Sequence, residues 1–375
     1  MSDAPGPGRR TYLDLLRGVA VLIMIEAHVI DSWTRVADRR TRAFGESLIL
    51  GGFGAPLFLF LAGIAVAMSA GSKARRTGDS GAAVRAVQRR GLEIFLLAFV
   101  FRFQSFVLSH SPAWAMLKVD ILNIMGPSII LAATLWGVFR TARARILAFA
   151  VATAALVWTT PIIRRADALG VLSDSLEAYL RPVPNLTNFT FFPWMAFVTA
   201  GAMTGVILDA ARSPEADRRV NLGFAVGGLA AAVAAYKASF MPPLWVPSSF
   251  WTTSASFFFI RLGLMTAAIG LAYAWERRPT AGRRWSPLQL LGRSSLFVYW
   301  VHVELVYGLI SHPLHRAFSL QGAWIGLVFV WLFMLAATVG KDRGMKWWRG
   351  DTVNRYRESR AVREPPLHVS GRGSP

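Results

Sequence analysis

The chain has 375 residues, no cysteine and a formal net charge of +20, yet only 17% of its residues are charged while 54% are hydrophobic, with 14 Trp and 25 Phe. Such a composition excludes an ordinary water-soluble domain. The missing cysteines exclude disulfides, thiol catalysis and thiolate metal sites, and the positive residues sit in connections between apolar segments rather than on a face suited to nucleic acid.

Ten apolar windows have the ~20 residues that a helix needs to cross ~30 Å of hydrocarbon. They lie near residues 12–33, 48–70, 91–110, 118–139, 145–163, 190–210, 220–239, 254–275, 287–310 and 322–340. The expected fold is all-α: a polytopic membrane protein of about ten transmembrane helices in one domain, residues 11–340, after a disordered residues 1–10. With the N-terminus in the cytoplasm, the four inward loops hold 16 Lys and Arg and the five outward loops hold 9. Positive residues stay on the cytoplasmic side, so both termini are expected there. Asp14 and Arg17 inside the first apolar run, with no small-residue cleavage pattern after His28, make it a retained span rather than a secretory leader.

That first window, TYLDLLRGVAVLIMIEAHVID, carries Asp14, Arg17, Glu26, His28 and Asp31. At ~100° and ~1.5 Å per residue, Arg17 and His28 differ by only ~20° around the helix and ~16 Å along it, so they share a face. Asp14 and Asp31 extend the stripe by i, i+3 steps, with Val21 and Met24 between, and Glu26 points elsewhere. Ionisable groups within a span are costly and face a partner or a cavity. The stripe therefore points to a polar channel, the plainer alternative being snorkelling terminal charges with His28 in a packing contact.

Later windows supply candidate walls. Arg102 and Arg261, inside the third and eighth, either neutralise carboxylates such as Glu93 or line an anionic passage. The fourth begins KVDILNIMG, placing Asp120 and Asn123 near the outer surface, and the segment 164–189 contains LSDSLEAYL, which suits a short interfacial helix. The sixth begins NFTFFPWMAF, with Asn188, Pro193 and Trp194 at the outer end, Trp194 being either an aromatic-belt anchor or a substrate platform. In the ninth, LGRSSLFVYWVHVELVYG puts Ser295, Tyr299 and His302 on one face, Arg293 nearer the inside and Glu304 nearer the outside. His302 falls close in depth to His28, as a site residue or a packing histidine. The basic tail, residues 341–375, reads as mostly disordered.

The segments YLDLLRGVAVLIMIEAH, GAPLFLFLAGIAVAMS, VDILNIMG, FFPWMAFVTAGAMTG and LGRSSLFVYWVH, in that order over residues 10–310, resemble the heparan-α-glucosaminide N-acetyltransferase catalytic-domain family. The spacing of Arg17 and His28 also resembles the Arg-x10-His signature of the related type-3 membrane acyltransferases. The resemblance implies a multi-pass protein of the bacterial inner membrane that moves an acyl group, acetyl foremost, from cytoplasmic acyl-CoA to a hydroxyl or amine on the opposite face. A glycan or glycolipid is the expected acceptor. Many bacterial relatives have Asp-His at the end of the first span, whereas Ala27 precedes His28 here, so Asp31 or another helix must orient the imidazole. The loop 34–47 lacks the histidine of the animal lysosomal enzyme, so a heparan acceptor does not carry over.

Thioester acyl transfer needs a base, a group to steady the tetrahedral oxyanion and a donor route. His28 is the expected base, Asp31 the holder of its tautomer, and His302, Tyr299 or Asn123 the oxyanion donor. Arg17 is expected to meet donor phosphates unless Asp14 claims its charge, and Asp14, Asp120, Asn123, Trp194, Arg293 and Tyr299 to contact substrate. No metal and no tightly bound cofactor are expected. The partners are acyl-CoA, the acceptor and membrane lipids, without nucleic acid, and a homodimer is left open. The rival function is a proton-coupled transporter or flippase, since intramembrane His, Asp and Arg also build proton relays.

Overall fold

A computed structural model describes residues 10–109, 112–244, 248–278 and 286–363. The described residues form helices α1 (Thr11–Trp33), α2 (Arg42–Gly51), α3 (Gly54–Thr77), α4 (Ser80–Ser109), α5 (Ile121–Val138), α6 (Ala142–Ile163), α7 (Asp174–Leu180), α8 (Phe191–Ala210), α9 (Pro214–Ala238), α10 (Ala255–Glu276), α11 (Pro287–Arg293), α12 (Ser295–Tyr307) and α13 (Leu320–Arg363). No strand forms among them, and the protein is an all-α membrane protein.

A helix occupies each of the ten apolar windows, the second shared by α2 and α3 and the ninth as two pieces broken at Ser294. Among the described residues, seven helical stretches are long and apolar enough to cross a membrane: α2 with α3, α5, α6, α8, α9, α10 and the first part of α13. The remaining three windows carry the polar groups, since α1 and α4 hold charges along their length and α12 has only 13 residues. The segment 164–189 does contain a short helix, α7. The tail departs from expectation, because α13 continues as helix through Arg363; the rest of the tail and residues 1–9 lie outside the described residues.

Local sequence signals set the helix ends. Thr41, Thr141, Ser213, Ser254 and Ser286 each accept a backbone N–H in the first turn of the helix that follows, and Pro214 and Pro287 stand at first helical positions, where no donor is lost. Asp120 and Asn123 form a reciprocal capping box at the start of α5. Gly78 ends α3 with φ +70°, a left-handed conformation that glycine adopts freely.

In lipid, helices have no hydrophobic drive to associate and rely on close van der Waals approach, which small residues allow. The α3–α8 contact shows this in Gly201–Ala–Met–Thr–Gly205: a methyl group on Gly201 would fall 2.0 Å from the Phe60 carbonyl oxygen, and one on Gly63 2.0 Å from that of Val198. The outward sides of α6, α9 and α13 present Leu147, Val226 and Phe329, as a lipid-facing surface requires.

Helix α1 packs against α3, α10, α11, α12 and α13, and it is clamped to α11–α12 at both ends. At its N-terminal end a methyl on Gly292 would lie 1.9 Å from the Asp14 carbonyl oxygen, so the two backbones touch. Beyond its C-terminal end, Arg35 N donates to Phe318 O at 2.8 Å and Phe318 N to Trp33 O at 3.0 Å. The Val306 carbonyl also accepts from Trp33 Nε1 at 3.3 Å and from His315 Nε2 at 3.1 Å. A second loop pairing, Val119 N to Leu186 O at 2.7 Å and Asn188 N to Val119 O at 3.0 Å, joins the approach to α5 with the approach to α8.

Replacing Gly201 by Leu should separate α3 from α8 and lower stability by about 1–3 kcal/mol or more. Gly227→Leu, at an exposed α9 position with nothing within 4 Å of the added carbon, should be neutral. Thermal unfolding of both purified variants in detergent checks the contrast.

Candidate active site

The double clamp brings α1 and α12 together at His28 and His302, which lie 274 residues apart in sequence. His302 is fully buried, its Nδ1 2.6 Å from the Val298 carbonyl oxygen, and its Nε2 lies 2.9 Å from His28 Nδ1. A carbonyl only accepts, so His302 Nδ1 carries a proton; in a neutral ring its Nε2 then offers a lone pair, which His28 Nδ1–H fills. The remaining nitrogen, His28 Nε2, is unprotonated and makes no hydrogen bond within the described residues. The rings are nearly parallel, 12° apart, and Tyr307 meets His28 edge-on at 5.4 Å between centroids.

His28 opens into a cavity of about 550 Å³ at the end of the bundle where α1 finishes. Its walls include Met24, Phe101, Tyr299 and Tyr307, with neither phenol hydrogen-bonded within the described residues. The charged groups at its rim are largely compensated. Arg102 meets Asp120 at 2.7 Å, and Asp31 meets Arg39 at 2.7 Å. Lys118 and Glu304 line the cavity without an ion pair among the described residues. In the loop before α5, burial lowers the Lys118 ammonium from its ordinary range and Arg102 adds to this, while Asp120 opposes it.

A second cavity, of about 390 Å³, lies toward the N-terminal end of α1 and is lined by Arg17, Lys73 and Arg90 together with Ser69, Ser295 and Leu296. The two cavities share no lining residue but draw on the same helices. Ile121 and Met125 of α5, Tyr299 and Leu296 of α12, and Ala55 and Phe58 of α3 each contribute one member to either side. Steps of three or four residues place the cavities about one helical turn, ~5 Å, apart along a common axis.

The residues singled out in the sequence divide accordingly. His28, Asp31, Asp120 and Tyr299 line the first cavity, Arg17 lines the second, and His302 stands directly behind His28. Asp31 does not orient His28: its carboxylate is held by Arg39, which also donates to the Asp31 carbonyl. His302 cannot be the oxyanion donor, because both its nitrogens are engaged. Asn123 is buried away from the cavity, its Oδ1 accepting Asp120 N at 3.0 Å and its Nδ2 directed at Tyr179 O–H at 3.4 Å. Trp194 lines neither cavity and packs edge-on against Phe189, a wall residue, at 4.7 Å. Arg293 reaches neither; it lies 3.9 Å from Asp14, a buried carboxylate that Arg17 also meets at 3.0 Å. Arg102 pairs with Asp120 rather than Glu93, which is held by Arg90.

Sequence reasoning passed over Lys73, Arg90, Lys118 and Tyr307. Tyr307 was reachable, since Tyr299, Val303 and Tyr307 recur at i+4 along one face. Lys73 and Arg90 were hidden among loop charges, although α3 and α4 carry them inward past the apolar boundary. Among the described residues no group of three or more His, Asp or Glu is placed to hold a metal ion.

The family model described as heparan-alpha-glucosaminide N-acetyltransferase, catalytic, matches residues 9–235, which contain α1 and His28 but stop short of α12 and His302. No curated protein matches the sequence. With well over half of its length covered by that model, the chain belongs to the heparan-α-glucosaminide N-acetyltransferase catalytic family.

Proposed function

We propose that the protein is an acyl-CoA-dependent membrane acyltransferase that carries an acetyl group from cytoplasmic acetyl-CoA to a hydroxyl or amine of a glycan or glycolipid on the other side. Ten crossings with both termini inside are part of this reading. The loop asymmetry of 16 against 9 basic residues supports that orientation, which puts the Arg17 cavity on the cytoplasmic side. The observation that carries the reading is the relay from His28 Nδ1–H to His302 Nε2 and from His302 Nδ1–H to Val298 O, which leaves a basic nitrogen at the inner edge of the outer cavity.

Donor phosphates would rest against Lys73, joined by Arg17, which shares its charge with Asp14, and by Arg90, which shares its charge with Glu93, and the pantetheine arm would extend along the shared helices toward His28. His28 Nε2 then removes the proton from the acceptor O–H or N–H as the acceptor attacks the thioester carbonyl carbon. The imidazolium formed keeps its Nδ1–H on His302, which acts as a positioning residue in the place a carboxylate often takes. The Tyr299 and Tyr307 hydroxyls are the free donors for the oxyanion. Collapse of the tetrahedral adduct breaks the C–S bond, and the proton on His28 Nε2 passes to the leaving thiolate. Direct transfer needs no acyl-histidine.

In proteoliposomes supplied with labelled acetyl-CoA and membrane extract, His28→Ala should lower kcat by about 10²–10⁴-fold while donor binding survives. His302→Ala should lower kcat less. His302→Gln, whose carbonyl oxygen can accept from His28 Nδ1–H, should recover part of that loss and displace the alkaline-going limb of the pH–rate profile. Near-normal turnover by folded His28→Ala protein would remove the base assignment. Movement of solute without release of CoA thiol would favour transport instead.

Removing Arg17, Lys73 or Arg90 should act on the donor. Each Ala substitution is expected to raise the acetyl-CoA KM by about tenfold, the worth of one charge-assisted hydrogen bond, with kcat little changed. The cysteine-free chain also makes topology directly measurable. Single cysteines introduced in the 71–90 connection should resist an impermeant thiol reagent added outside intact cells, and those in 164–189 should react; the reverse pattern would overturn the orientation.

A further inference from the structure

Arg261 has no part in either cavity and no anionic partner among the described residues, although Arg102, half-buried on α4, is neutralised by Asp120. It lies on α10 and is only 8% exposed. Its guanidinium carbon is 4.1 Å from the Phe257 ring centre, 5.3 Å from that of Phe197 and 6.0 Å from that of Trp194. Nε is sealed from solvent with no hydrogen bond, so the residual exposure belongs to the far end of the side chain, whose nitrogens also have no hydrogen-bond partner among the described residues.

A guanidinium in an apolar setting is costly unless an anion meets it. Three aromatic faces offset part of that cost and fix the plane of the fork. They accept none of its five N–H groups in a strong hydrogen bond, and the geometry of that fork matches phosphate oxygens two at a time. Helix α10 runs antiparallel to α1, as the edge-on contact of Tyr12 with Tyr273 requires, so its N-terminal half lies at the His28 end of the bundle. Arg261 is six residues into α10, ~9 Å along its axis, the depth from which a long cation reaches a lipid phosphate. Trp194 links this cage to Phe189 in the wall of the His28 cavity, so an anion held here would sit one aromatic layer from the acyl-transfer chamber.

We propose that Arg261, in its cage of Phe257, Phe197 and Trp194, is a binding site for the phosphate group of a membrane amphiphile. The site stands independently of the acyltransfer reading, because it is defined by binding. The test uses purified full-length protein stripped of lipid in a non-ionic detergent. Thermal unfolding and native mass spectrometry are read with three probes: dihexanoyl phosphatidylglycerol, inorganic phosphate and the uncharged dioctanoylglycerol.

The wild-type protein is expected to bind and be stabilised by the phosphatidylglycerol and to ignore the uncharged lipid, with R261Q binding at least tenfold more weakly. R261K keeps the charge but not the fork and is expected to bind at least fivefold more weakly; it serves as the comparison if R261Q fails to accumulate in the membrane. Competition by inorganic phosphate at similar concentration would assign the site to the phosphate itself rather than to a lipid headgroup, within the same chemistry. Equal binding by wild-type and both variants, or no binding of either phosphate probe by the wild type, overturns the proposal.

Discussion

A polar group that leaves water for the interior of a bilayer has to find its partner inside the protein, and the architecture around α1 follows from that requirement. His28 sits on a helix that could not otherwise carry it across an apolar layer, and its hydrogen-bonding nitrogen is satisfied by a residue from the opposite end of the chain. For that contact to hold at 2.9 Å, α1 and α12 must be fixed in rotation, depth and separation at once. Glycine contact at one end and the paired strand-like segments at the other provide the fixation, and the break at Ser294 lets α12 leave the line of α11 to meet it. Lys341 of α13 donates to Ser294 Oγ at 2.6 Å, tying that break to the last helix.

Charge is distributed by the same rule. Asp14, buried at the foot of α1, is shared between Arg17 and Arg293; Asp209 holds Arg75; and Asp217 holds Arg10, which also caps the Leu208 and Ala211 carbonyls. These pairs are confined to one end of the bundle, where several helices finish together, and they set the relative depth of the helices. At the other end Arg39 with Asp31 and Arg102 with Asp120 border the His28 cavity. With such pairs set aside, the groups within the bundle that keep hydrogen-bonding capacity among the described residues include buried Glu26, Lys118, Glu304 and Arg261. Neutralised charges orient structure, whereas Lys118, Glu304 and Arg261 retain unused hydrogen-bonding groups.

The relation of the two cavities gives the catalytic reading its physical content. A donor with a charged head and a long neutral arm needs a polar mouth followed by a narrow apolar passage, and an acceptor arriving from the opposite side needs a polar chamber of its own. The helices that line one cavity line the other a turn away, so a shift of any one of them alters both. Substitutions on these helices are for that reason better interpreted through separate donor and acceptor kinetics than through a single rate.

The amino-acid sequence by itself determined the helical class, the places of the ten apolar segments and the face of the first helix on which His28 lies, because these depend on local properties: residue hydropathy over a span length and the ~100° step of a helix. The caps at Thr141, Ser213 and Asp120 were equally local. Tertiary structure decided what spans of hundreds of residues bring together. Depth along a helix placed His302 level with His28, but only packing could make it the orienting partner in place of Asp31 and move Trp194 from the chamber to the layer behind it. Likewise Arg102 and Arg261 look alike in sequence, each a lone cation in an apolar run. One stands beside a carboxylate because the approach to α5 is held against the approach to α8, and the other stands among aromatic rings because α8 and α10 meet there. A residue's partner depends on which faces the helices turn to one another, and that is settled by the whole bundle at once.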